Sequence, residues 1–466
     1  MKVESVRGMR DILPEETPLW QKLEAEIRAA FALYGYGEIR VPLVERVELF
    51  SRGVGEETEV VDKQMYVFPD RKGLQLALRP EATASVVRAY VEHGLHAKGD
   101  LAKLYYLGAM FRYEKPQLGR QRQFHQYGVE AIGSLDPALD AEVMDLAWHL
   151  MERLLVRDPS SEIRDPELLT RPTPPGQRTP VNGPRSTVHG PRTTVHGPRS
   201  SDHGLLLRLN SIGCREDRPV YRAALQGYFA SRVGDLCPEC RRRMETNPLR
   251  ILDCKEEGCR VLSRAAPRSV DHLCPECHRH FADVQAHLAD LGLAHEFDPT
   301  LVRGLDYYTR TVFELCSRDL GAQDALLGGG RYDGLVELLG GSPTPAVGFA
   351  GGMERLVIVL SAQQSVAESS KPALDLYLVP IGDEAKREGA KLLASLRRTG
   401  LSVDTDYMGR SLRKTMQVAG RSARYAALLG QNELARGEIK LKNLSSGEEK
   451  TVDLSQFTAD PLAFIN

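Results

Sequence analysis

The chain has 466 residues, 42% of them hydrophobic, and its 61 Lys and Arg nearly balance its 63 Asp and Glu, giving a net charge of -2. That length predicts two to four domains with a large core, and the charge excludes a general electrostatic affinity for nucleic acid, so any RNA contact must come from local basic patches. No run of 18 apolar residues and no apolar signal core are present, which predicts a soluble cytoplasmic protein without membrane contact.

The first hundred residues predict two helices and two strands. Apolar side chains recur at spacings of three and four, as one buried helix face requires: Trp20, Leu23, Ile27, Phe31 and Tyr34. Strands are predicted at Glu38–Val41 and Leu76–Pro80. Glu81-Ala82-Thr83 then begins a helix, where Glu81 could simply be a first-turn carboxylate that complements the helix dipole.

A basic hairpin is predicted between Tyr105 and Gly133. Two apolar runs flank a Pro-Gln-Leu-Gly turn whose charged residues are Arg112, Glu114, Lys115, Arg120 and Arg122. Guanidinium groups bind phosphate in a bidentate manner, and the inward-facing Gln126 and Glu130 are free to read a small polar ligand, which together suggest nucleotide chemistry. The alternative is a surface hairpin stabilised by ion pairs.

A helix at about Ala141–Leu155 precedes a very different segment, Arg157–His203. It contains a seven-residue tandem repeat that is rich in Pro, Arg, Thr and Ser and has almost no apolar content. Because such a segment cannot bury enough surface to offset its ordering entropy, we predict a disordered loop. The repeated histidines could indicate a metal site, but expansion of the repeat explains their spacing more simply.

The region from Cys214 to Leu293, after a strand at Leu205–Asn210, is predicted to be mainly helical and contains two Cys-Pro-Glu-Cys motifs. Each motif directs two thiolates at one tetrahedral ion. The candidate ligands of a structural Zn²⁺ are therefore Cys237, Cys240, Cys274 and Cys277. Cys254 and Cys259 are competing ligands, and reduced, partly buried thiols are the alternative to a metal site.

Two glycine-rich motifs and a small domain follow. Leu301–Tyr308 carries an arginine and two tyrosines; Gly328–Gly334 and Ala346–Leu356 are glycine-rich, and the second of them places Arg355 on a helix. After a polar linker, strands and helices alternate, which predicts a small α/β sheet covered by helices. Its strands are predicted at Asp375–Ile381, Leu401–Tyr407, Tyr425–Leu429, Glu438–Leu444 and Lys450–Leu454, and its helices at Glu384–Arg398 and Leu412–Arg421.

Several of these motifs resemble those of class II aminoacyl-tRNA synthetases, in the order in which that class carries them. The hairpin resembles motif 2, the first helix and strand resemble motif 1, and Ala346–Leu356 resembles motif 3. Leu301–Tyr308 matches a signature of histidyl-tRNA synthetases and their close relatives over eight consecutive positions. The resemblance covers almost the whole chain apart from the repeat.

The resemblance implies an α+β multidomain protein. It places a class II catalytic domain, an antiparallel sheet with flanking helices, at 1–156 and 294–360. It places a disordered repeat-containing loop at 157–204, a helical insertion domain at 205–293, a linker at 361–371 and an anticodon-binding α/β domain at 372–466. It also implies a homodimer, since motif 1 builds the dimer interface in that class.

The resemblance implies ATP-dependent attachment of L-histidine to tRNA(His) through a histidyl-adenylate, with Mg²⁺ accompanying ATP. The catalytic residues would be Arg112 and Arg303. The implied histidine-binding residues are Glu81, Ala82, Thr83, Gln126, Glu130, Arg303, Tyr307 and Tyr308. The implied ATP-binding residues are Arg112, Glu114 and Arg355. The residues expected at the tRNA acceptor end are Gln117, Arg120 and Arg122.

Two other functions remain open from sequence. One is a histidine-sensing regulatory paralogue, like the regulatory subunit of ATP phosphoribosyltransferase, although such paralogues lack an anticodon-binding domain and tend to lose part of the arginine set. The other is an RNA-binding module with an inactive site, against which the intact Glu81, Thr83 and Glu130 argue.

Overall fold

The structure is a computed structural model that describes residues 3–55, 58, 60–117, 119–155, 204–317, 325–363 and 374–465. The chain divides into two compact units, Met1–Gln363 and Gln364–Asn466. Residues 157–203 of the predicted loop at 157–204 and residues 364–371 of the predicted linker at 361–371 lie outside the described residues, whereas residues 361–363 end a helix. Among the described helices, none combines the length and the apolar content needed to cross a bilayer.

The first unit contains a large sheet and a small one. Their strands, in chain order, are β1 (Gly37–Glu38), β2 (Val44–Arg46), β3 (Tyr66–Pro69), β4 (Gln75–Leu78), β5 (Ala102–Phe111), β6 (Gln123–Ile132), β7 (Leu205–Ser211), β8 (His295–Phe297), β9 (Thr309–Ser317), β10 (Ala325–Arg331) and β11 (Ala346–Gly352). The large sheet has the order β1-β5-β6-β11-β10-β9-β7-β8 and the small one the order β2-β4-β3. All pairs between β5 and β7 are antiparallel, whereas the edge strands β1 and β8 pair in parallel.

Helices cover the large sheet and form the region between β7 and β8. They are α1 (Thr17–Leu33), α2 (Val47–Val54), α3 (Thr83–Glu92), α4 (Pro137–Leu155), α5 (Asp217–Ala230), α6 (Pro238–Thr246), α7 (Glu257–Arg264), α8 (Pro275–Asp290), α9 (Leu335–Leu338) and α10 (Met353–Gln363). The predicted segment 205–293 thus begins with β7, a strand of the large sheet, and its helices begin at Asp217.

The core lies where α1 and α4 pack on the sheet. The apolar stripe predicted on α1 is buried at Trp20, Leu23, Ile27 and Phe31, because a 3.6-residue period places these side chains on one face. The Phe31 ring lies 5.3 Å from the Tyr105 ring of β5, centroid to centroid. This contact fixes α1 over the strand that leads to the predicted basic loop.

The second unit is a five-stranded sheet with helices. Its strands are β12 (Leu374–Pro380), β13 (Val403–Thr405), β14 (Ala423–Leu429), β15 (Glu438–Asn443) and β16 (Glu449–Asp453), and its helices are α11 (Asp383–Arg398), α12 (Leu412–Ser422), α13 (Gln431–Arg436) and α14 (Leu454–Ala459). The order is β13-β12-β14-β15-β16. Leu376 and Leu378 belong to one core and Tyr377 and Val379 to another, because side chains alternate between the two faces of a strand. The α/β sheet predicted for this part of the chain is confirmed.

A buried ion pair joins β10 to α4 in the first unit. Arg331, the last residue of β10, is fully buried and donates through Nε to Asp140 Oδ2 at 2.8 Å and through Nη1 to the Ser134 carbonyl at 3.0 Å. Burial opposes ionisation of Asp140, but the nearby Arg331 and His280 outweigh it and hold the pKa of Asp140 below its usual value. Asp140 therefore remains charged, and its stabilising effect is lost only as the pH falls through that lowered pKa.

We predict that Arg331→Met lowers the free energy of unfolding of the first unit by about 3–5 kcal/mol, because it leaves a buried carboxylate without its cation. Urea denaturation followed by circular dichroism measures the change. The double variant Asp140→Leu/Arg331→Met removes both charges and should recover much of the loss. Additive losses in the double variant would contradict a paired interaction.

Candidate active site

A cavity of about 360 Å³ opens above the centre of the large sheet. Ten of the residues singled out in the sequence line it: Glu81, Thr83, Arg112, Glu114, Arg120, Gln126, Arg303, Tyr307, Tyr308 and Arg355. They come from the start of α3, the loop between β5 and β6, β6 itself, the segment before β9, and α10, which are far apart along the chain. The antiparallel order of the sheet brings them together.

Five arginines line this cavity, and backbone or carboxylate oxygens hold three of them, Arg112, Arg303 and Arg355, in place. Arg112 Nε donates to the Pro80 carbonyl at 2.9 Å. Arg303 Nη1 donates to the Glu314 carboxylate, and Arg355 Nη1 donates to the Ala325 carbonyl. A guanidinium group carries five N–H donors, so each of the three can still bind an anionic oxygen. Together they place three cations in a cavity that the carboxylates of Glu81, Glu114, Glu314 and Glu354 also line.

The start of α3 supplies a buried carboxylate and a hydroxyl. Glu81 Oε2 accepts from the Thr83 N–H at 2.6 Å and Oε1 accepts from the Ala84 N–H at 3.0 Å. Burial raises the pKa of Glu81, although these two N–H groups oppose the shift. Glu81 therefore binds the free N–H groups at the start of α3, as the helix-dipole alternative expects, and the same carboxylate also lines the cavity. Its remaining lone pairs and the Thr83 hydroxyl oxygen can accept from an ammonium group.

Glu130 lies beneath the cavity rather than among its lining residues. Thr83 Oγ1 donates to Glu130 Oε1 at 2.6 Å, and Tyr332 Oη donates to Oε2. Burial raises the pKa of Glu130 to about 8, against these two hydroxyl donors, which lower it. Near neutral pH this group is therefore poised to gain or lose a proton.

An aromatic wall stands beside Glu130. The rings of Tyr307 and Tyr308 are 4.7 Å apart, and the ring of Tyr332 lies 5.7 Å from that of Tyr307. Burial raises the pKa of Tyr307 well above its usual value, so its hydroxyl stays protonated and can donate. Gln126 Oε1 is buried and has no hydrogen-bond partner among the described residues. These groups offer ring faces, donors and an acceptor to a small planar polar ligand.

Two glycines of the sheet allow this close packing. A Cβ at Gly328 would lie 2.4 Å from Arg303 Nη1, and a Cβ at Gly348 would lie 2.2 Å from both Glu130 Oε2 and the Val129 carbonyl oxygen. The glycine-rich sequences of β10 and β11 thus make room for the buried charges.

Besides Glu130, three of the predicted residues lie outside the cavity lining. Ala82 is buried at the residue that precedes α3. Gln117 forms an isolated bridge with Arg120, which closes the hairpin turn. The guanidinium of Arg122 lies 4.0 Å from the centre of the Tyr113 ring, and its Nε donates to the Glu114 carbonyl. Gln117 and Arg122 are therefore on the hairpin loop beside the cavity.

Sequence reasoning missed several contributors to the site. Tyr106 and Gln64 line the cavity, and so does Arg250, which donates from the helical region to the Arg303 carbonyl at 3.1 Å. Glu314, the partner of Arg303, lies on β9, and Tyr332, the partner of Glu130, lies within the glycine-rich motif Gly328–Gly334. The position of Tyr332 inside a recognised motif was an available signal, whereas Glu314 and Arg250 lie outside the motifs named in the sequence.

The predicted four-cysteine zinc set is wrong. Cys237 and Cys240 lie with Cys254 and Cys259, whereas Cys274 and Cys277 lie with Cys214 and Asp217. Each Cys-Pro-Glu-Cys turn fixes its own two thiols locally, but the helices that follow the turns place the two motifs in different clusters.

Comparisons with known proteins agree with this geometry. A family model described as histidyl-tRNA synthetase matches residues 8–170 and 218–356, and an anticodon binding domain model matches residues 375–459. Histidine–tRNA ligases of Desulforamulus reducens and Desulforudis audaxviator are 43% and 44% identical to the chain, over 97% and 98% of it and over 96% and 97% of their own lengths. The crystal structure of apo histidyl-tRNA synthetase from S. aureus matches with a TM-score of 0.73 at 33% identity, covering 98% of this chain and 99% of that one.

The mainly antiparallel sheet, its arginine-lined cavity and the separate α/β unit are those of a class II aminoacyl-tRNA synthetase, so the predicted fold class is confirmed. Within that class, the chain belongs to the histidyl-tRNA synthetase family.

We predict that Gly348→Ala lowers the free energy of unfolding by about 1–3 kcal/mol, because the added methyl group meets the Val129 carbonyl and the Glu130 carboxylate, neither of which can move away freely. Thermal unfolding monitored by calorimetry measures the change. Gly334→Ala is the matched control: a Cβ there has no atom within 4 Å, so its midpoint should stay near that of the parent. Equal midpoints for the two variants would disprove the packing argument.

Proposed function

We propose that this chain is a histidine–tRNA ligase that activates L-histidine with ATP and transfers the histidyl group to tRNA(His). The observation that carries the proposal is the convergence of Arg112, Arg303 and Arg355 on one cavity that also holds Glu81 and the tyrosine wall. Phosphate binding and amino-acid binding are thereby available within a single site.

The first step joins two anions. A carboxylate oxygen of histidine attacks the α-phosphorus of ATP, the new P–O bond forms, and the bond to the bridging oxygen breaks as pyrophosphate leaves. Negative charge grows on the phosphoryl oxygens, so positioning and fixed positive charge supply the catalysis. We assign Arg112 to the α-phosphate, Arg303 to the histidine carboxylate and the α-phosphate, and Arg355 to the γ-phosphate end.

Mg²⁺ suits the nucleotide side of the cavity. Glu114 and Glu354 line it with carboxylate oxygens, which are the hard donors that Mg²⁺ prefers. These residues would hold the ion, and the bound ion would neutralise charge on the triphosphate. Glu354 also accepts from the His125 backbone N–H at 2.8 Å, which fixes its carboxylate relative to β6.

The amino-acid side of the cavity suits histidine. Glu81 and Thr83 accept from the α-ammonium group, and Gln126, Tyr307 and Tyr308 surround the imidazole. A carboxylate has about four acceptor positions, so Glu130 can accept an imidazole N–H in addition to its two hydroxyl donors. An amino acid without that N–H would leave a buried polar site unsatisfied and would be rejected strongly.

We place the tRNA on both units. Gln117, Arg120 and Arg122 on the hairpin loop would meet the acceptor end, and the second unit would bind the anticodon. Tyr407 is 73% exposed there, and Arg413 and Lys414 are exposed on the neighbouring helix α12. Exposed aromatic rings stack on unpaired bases and cations bind phosphates, so this surface has the chemistry that single-stranded RNA requires.

The observations favour the ligase over a histidine-sensing regulatory paralogue. All three arginines assigned to chemistry line one cavity, and residues 375–459 match the anticodon binding domain model. A sensor needs neither. Because the substrates are ATP and tRNA, we also propose that the protein acts in the cytoplasm.

We predict that Arg303→Ala reduces histidine-dependent exchange of labelled pyrophosphate into ATP by about 100-fold or more, since one preorganised donor to the developing charge is lost. Gly328→Ala should also reduce exchange, because it displaces the same guanidinium without removing it. Arg153→Ala, which removes a surface arginine paired with Glu26 on the outer side of α4, is the control and should leave exchange unchanged.

Calorimetric titration with ATP separates loss of chemistry from loss of binding in these variants. Intact ATP binding with lost exchange supports the role of Arg303. Absence of exchange in the parent protein, with histidine still bound, would overturn the ligase and favour the sensor.

We propose further that the chain is a homodimer through the small sheet. Its register places Val44 opposite Leu78 and Phe68 opposite Leu76, so these four apolar side chains share one face, and Val44 and Phe68 are 39% exposed. An exposed apolar face of this kind marks an interaction surface. The motif 1 resemblance of the preceding helix and strand names a second copy of the chain as its partner.

We predict that Phe68→Glu converts the dimer to a monomer in light scattering after size-exclusion chromatography, because it buries a charge in the interface. Val67→Glu is the matched control: Val67 is 47% exposed but pairs with Ala77 on the opposite face of the same sheet. A monomeric parent protein, or dissociation by both variants alike, would argue against this interface.

A further inference from the structure

The helical region between β7 and β8 contains two groups of potential metal ligands, which we name by composition. The four-cysteine cluster consists of Cys237, Cys240, Cys254 and Cys259. The aspartate-containing cluster consists of Cys214, Asp217, Cys274 and Cys277. In each cluster the four ligand atoms all lie within 4.8 Å of one another.

Both clusters begin with the same local structure. Cys237 and Cys274 precede α6 and α8 with nearly identical backbone angles, φ -64° with ψ 160° and 161°, and each is followed by a proline at the first helical position. In both turns the first sulfur accepts from the backbone N–H of the second cysteine at 3.4 Å. A bond of this kind stabilises a thiolate, and the thiolate is the form that binds a metal.

The spacing within the four-cysteine cluster fits a tetrahedral ion. A Zn–S bond of about 2.3 Å requires neighbouring sulfurs about 3.8 Å apart at tetrahedral angles. The Sγ atoms of Cys237 and Cys254 are 3.9 Å apart. A disulfide requires about 2.05 Å, and none of the eight cysteines of the chain forms one. The sulfurs are therefore arranged for an ion rather than for a disulfide.

The aspartate-containing cluster joins two segments that are far apart along the chain. Asp217 accepts from the Cys214 N–H at 3.1 Å and from the Cys274 N–H at 2.8 Å, which brings the turn at the start of α5 and the start of α8 together. Its carboxylate retains lone pairs for a metal. The Cys214 thiol donates to Glu216 at 2.8 Å, and binding of an ion would replace that proton.

The surrounding region has reason to need such ions. Helices α6 and α7 have nine and eight residues, too short to be stable alone in water. The second cysteine of each motif, Cys240 and Cys277, is fully buried, so both clusters belong to the interior of the region. Small elements with little apolar core are commonly held by metals.

We propose that this chain binds two structural Zn²⁺ ions, one in the four-cysteine cluster and one in the aspartate-containing cluster. The cysteine thiols lose their protons to solvent as they bind, four in the first cluster and three in the second. Thiolate sulfur with one carboxylate oxygen is a ligand set that zinc accepts in tetrahedral geometry.

The two ions would hold the helical region against the site. In the sequence, Arg250 lies between Cys240 and Cys254 of the four-cysteine cluster, and its side chain donates to the Arg303 carbonyl at 3.1 Å. Arg218, next to Asp217, donates to the carbonyls of Asp306 at 2.8 Å and of Tyr308. Each cluster therefore fixes a segment that supports the loop carrying Arg303 and the tyrosines.

The test is metal content of the full-length protein, measured by plasma mass spectrometry after purification without chelator. We expect about two zinc ions per chain in the parent. Cys254→Ser/Cys259→Ser and Cys274→Ser/Cys277→Ser should each retain about one. Cys316→Ser is the control, since Cys316 is buried on β9 outside both clusters, and it should retain both ions.

Cobalt substitution of the parent protein gives a measurement that does not depend on any variant. Tetrahedral thiolate coordination should produce a sulfur-to-cobalt charge-transfer band and intense visible bands, and zinc should abolish them. A metal-free parent, or iron in place of zinc, overturns the proposal. Loss of zinc in the first double variant but not in the second overturns the aspartate-containing site. Each of these results is independent of amino-acid activation.

Discussion

The concentration of positive charge in one cavity is the constraint on which this structure depends. Arg112, Arg303 and Arg355 would repel one another in the absence of an anion, yet phosphate chemistry requires them together. The chain offsets that repulsion with oxygens already in place: the Pro80 and Ala325 carbonyls and the Glu314 carboxylate. Each arginine is thus oriented before a ligand arrives, so little reorganisation remains for the moment of reaction.

Close packing of the sheet beneath the cavity serves the same end. Glycine at 328 and 348 allows Arg303 and Glu130 to lie directly on neighbouring strands. On α4, the buried Asp140 pairs with Arg331 and ties the end of β10 to the helix layer. Glu130 beneath the cavity and Asp140 beside the helix layer are both buried, and each has hydrogen-bond donors from neighbouring side chains. Such partners are needed because a buried charge without one costs several kcal/mol.

The helical region between β7 and β8 supports the histidine-specific loop rather than standing apart from it. Arg250 and Arg218 donate to carbonyls of that loop, and the two proposed zinc sites would stiffen the segments that carry them. Sequence could pair each Cys-Pro-Glu-Cys motif internally because the turn is local. It could not choose the remaining ligands, since Cys214 and Asp217 reach the second motif only after α5 and α8 have packed.

Local pattern determined much of this protein. Residue spacing alone predicted helix α1, the hairpin of β5 and β6, and the alternating strands and helices of the second unit. Motifs that resemble those of a known family predicted ten of the cavity-lining residues. Both signals are local, because they depend only on residues that are close together in the sequence. The tertiary structure decided what depends on distant contacts: that Tyr332 and Thr83 hold Glu130, that Glu314 holds Arg303, that Arg250 enters the site, and that the cysteines divide into two clusters. Such pairings are set by strand order and helix packing, and no local spacing encodes them.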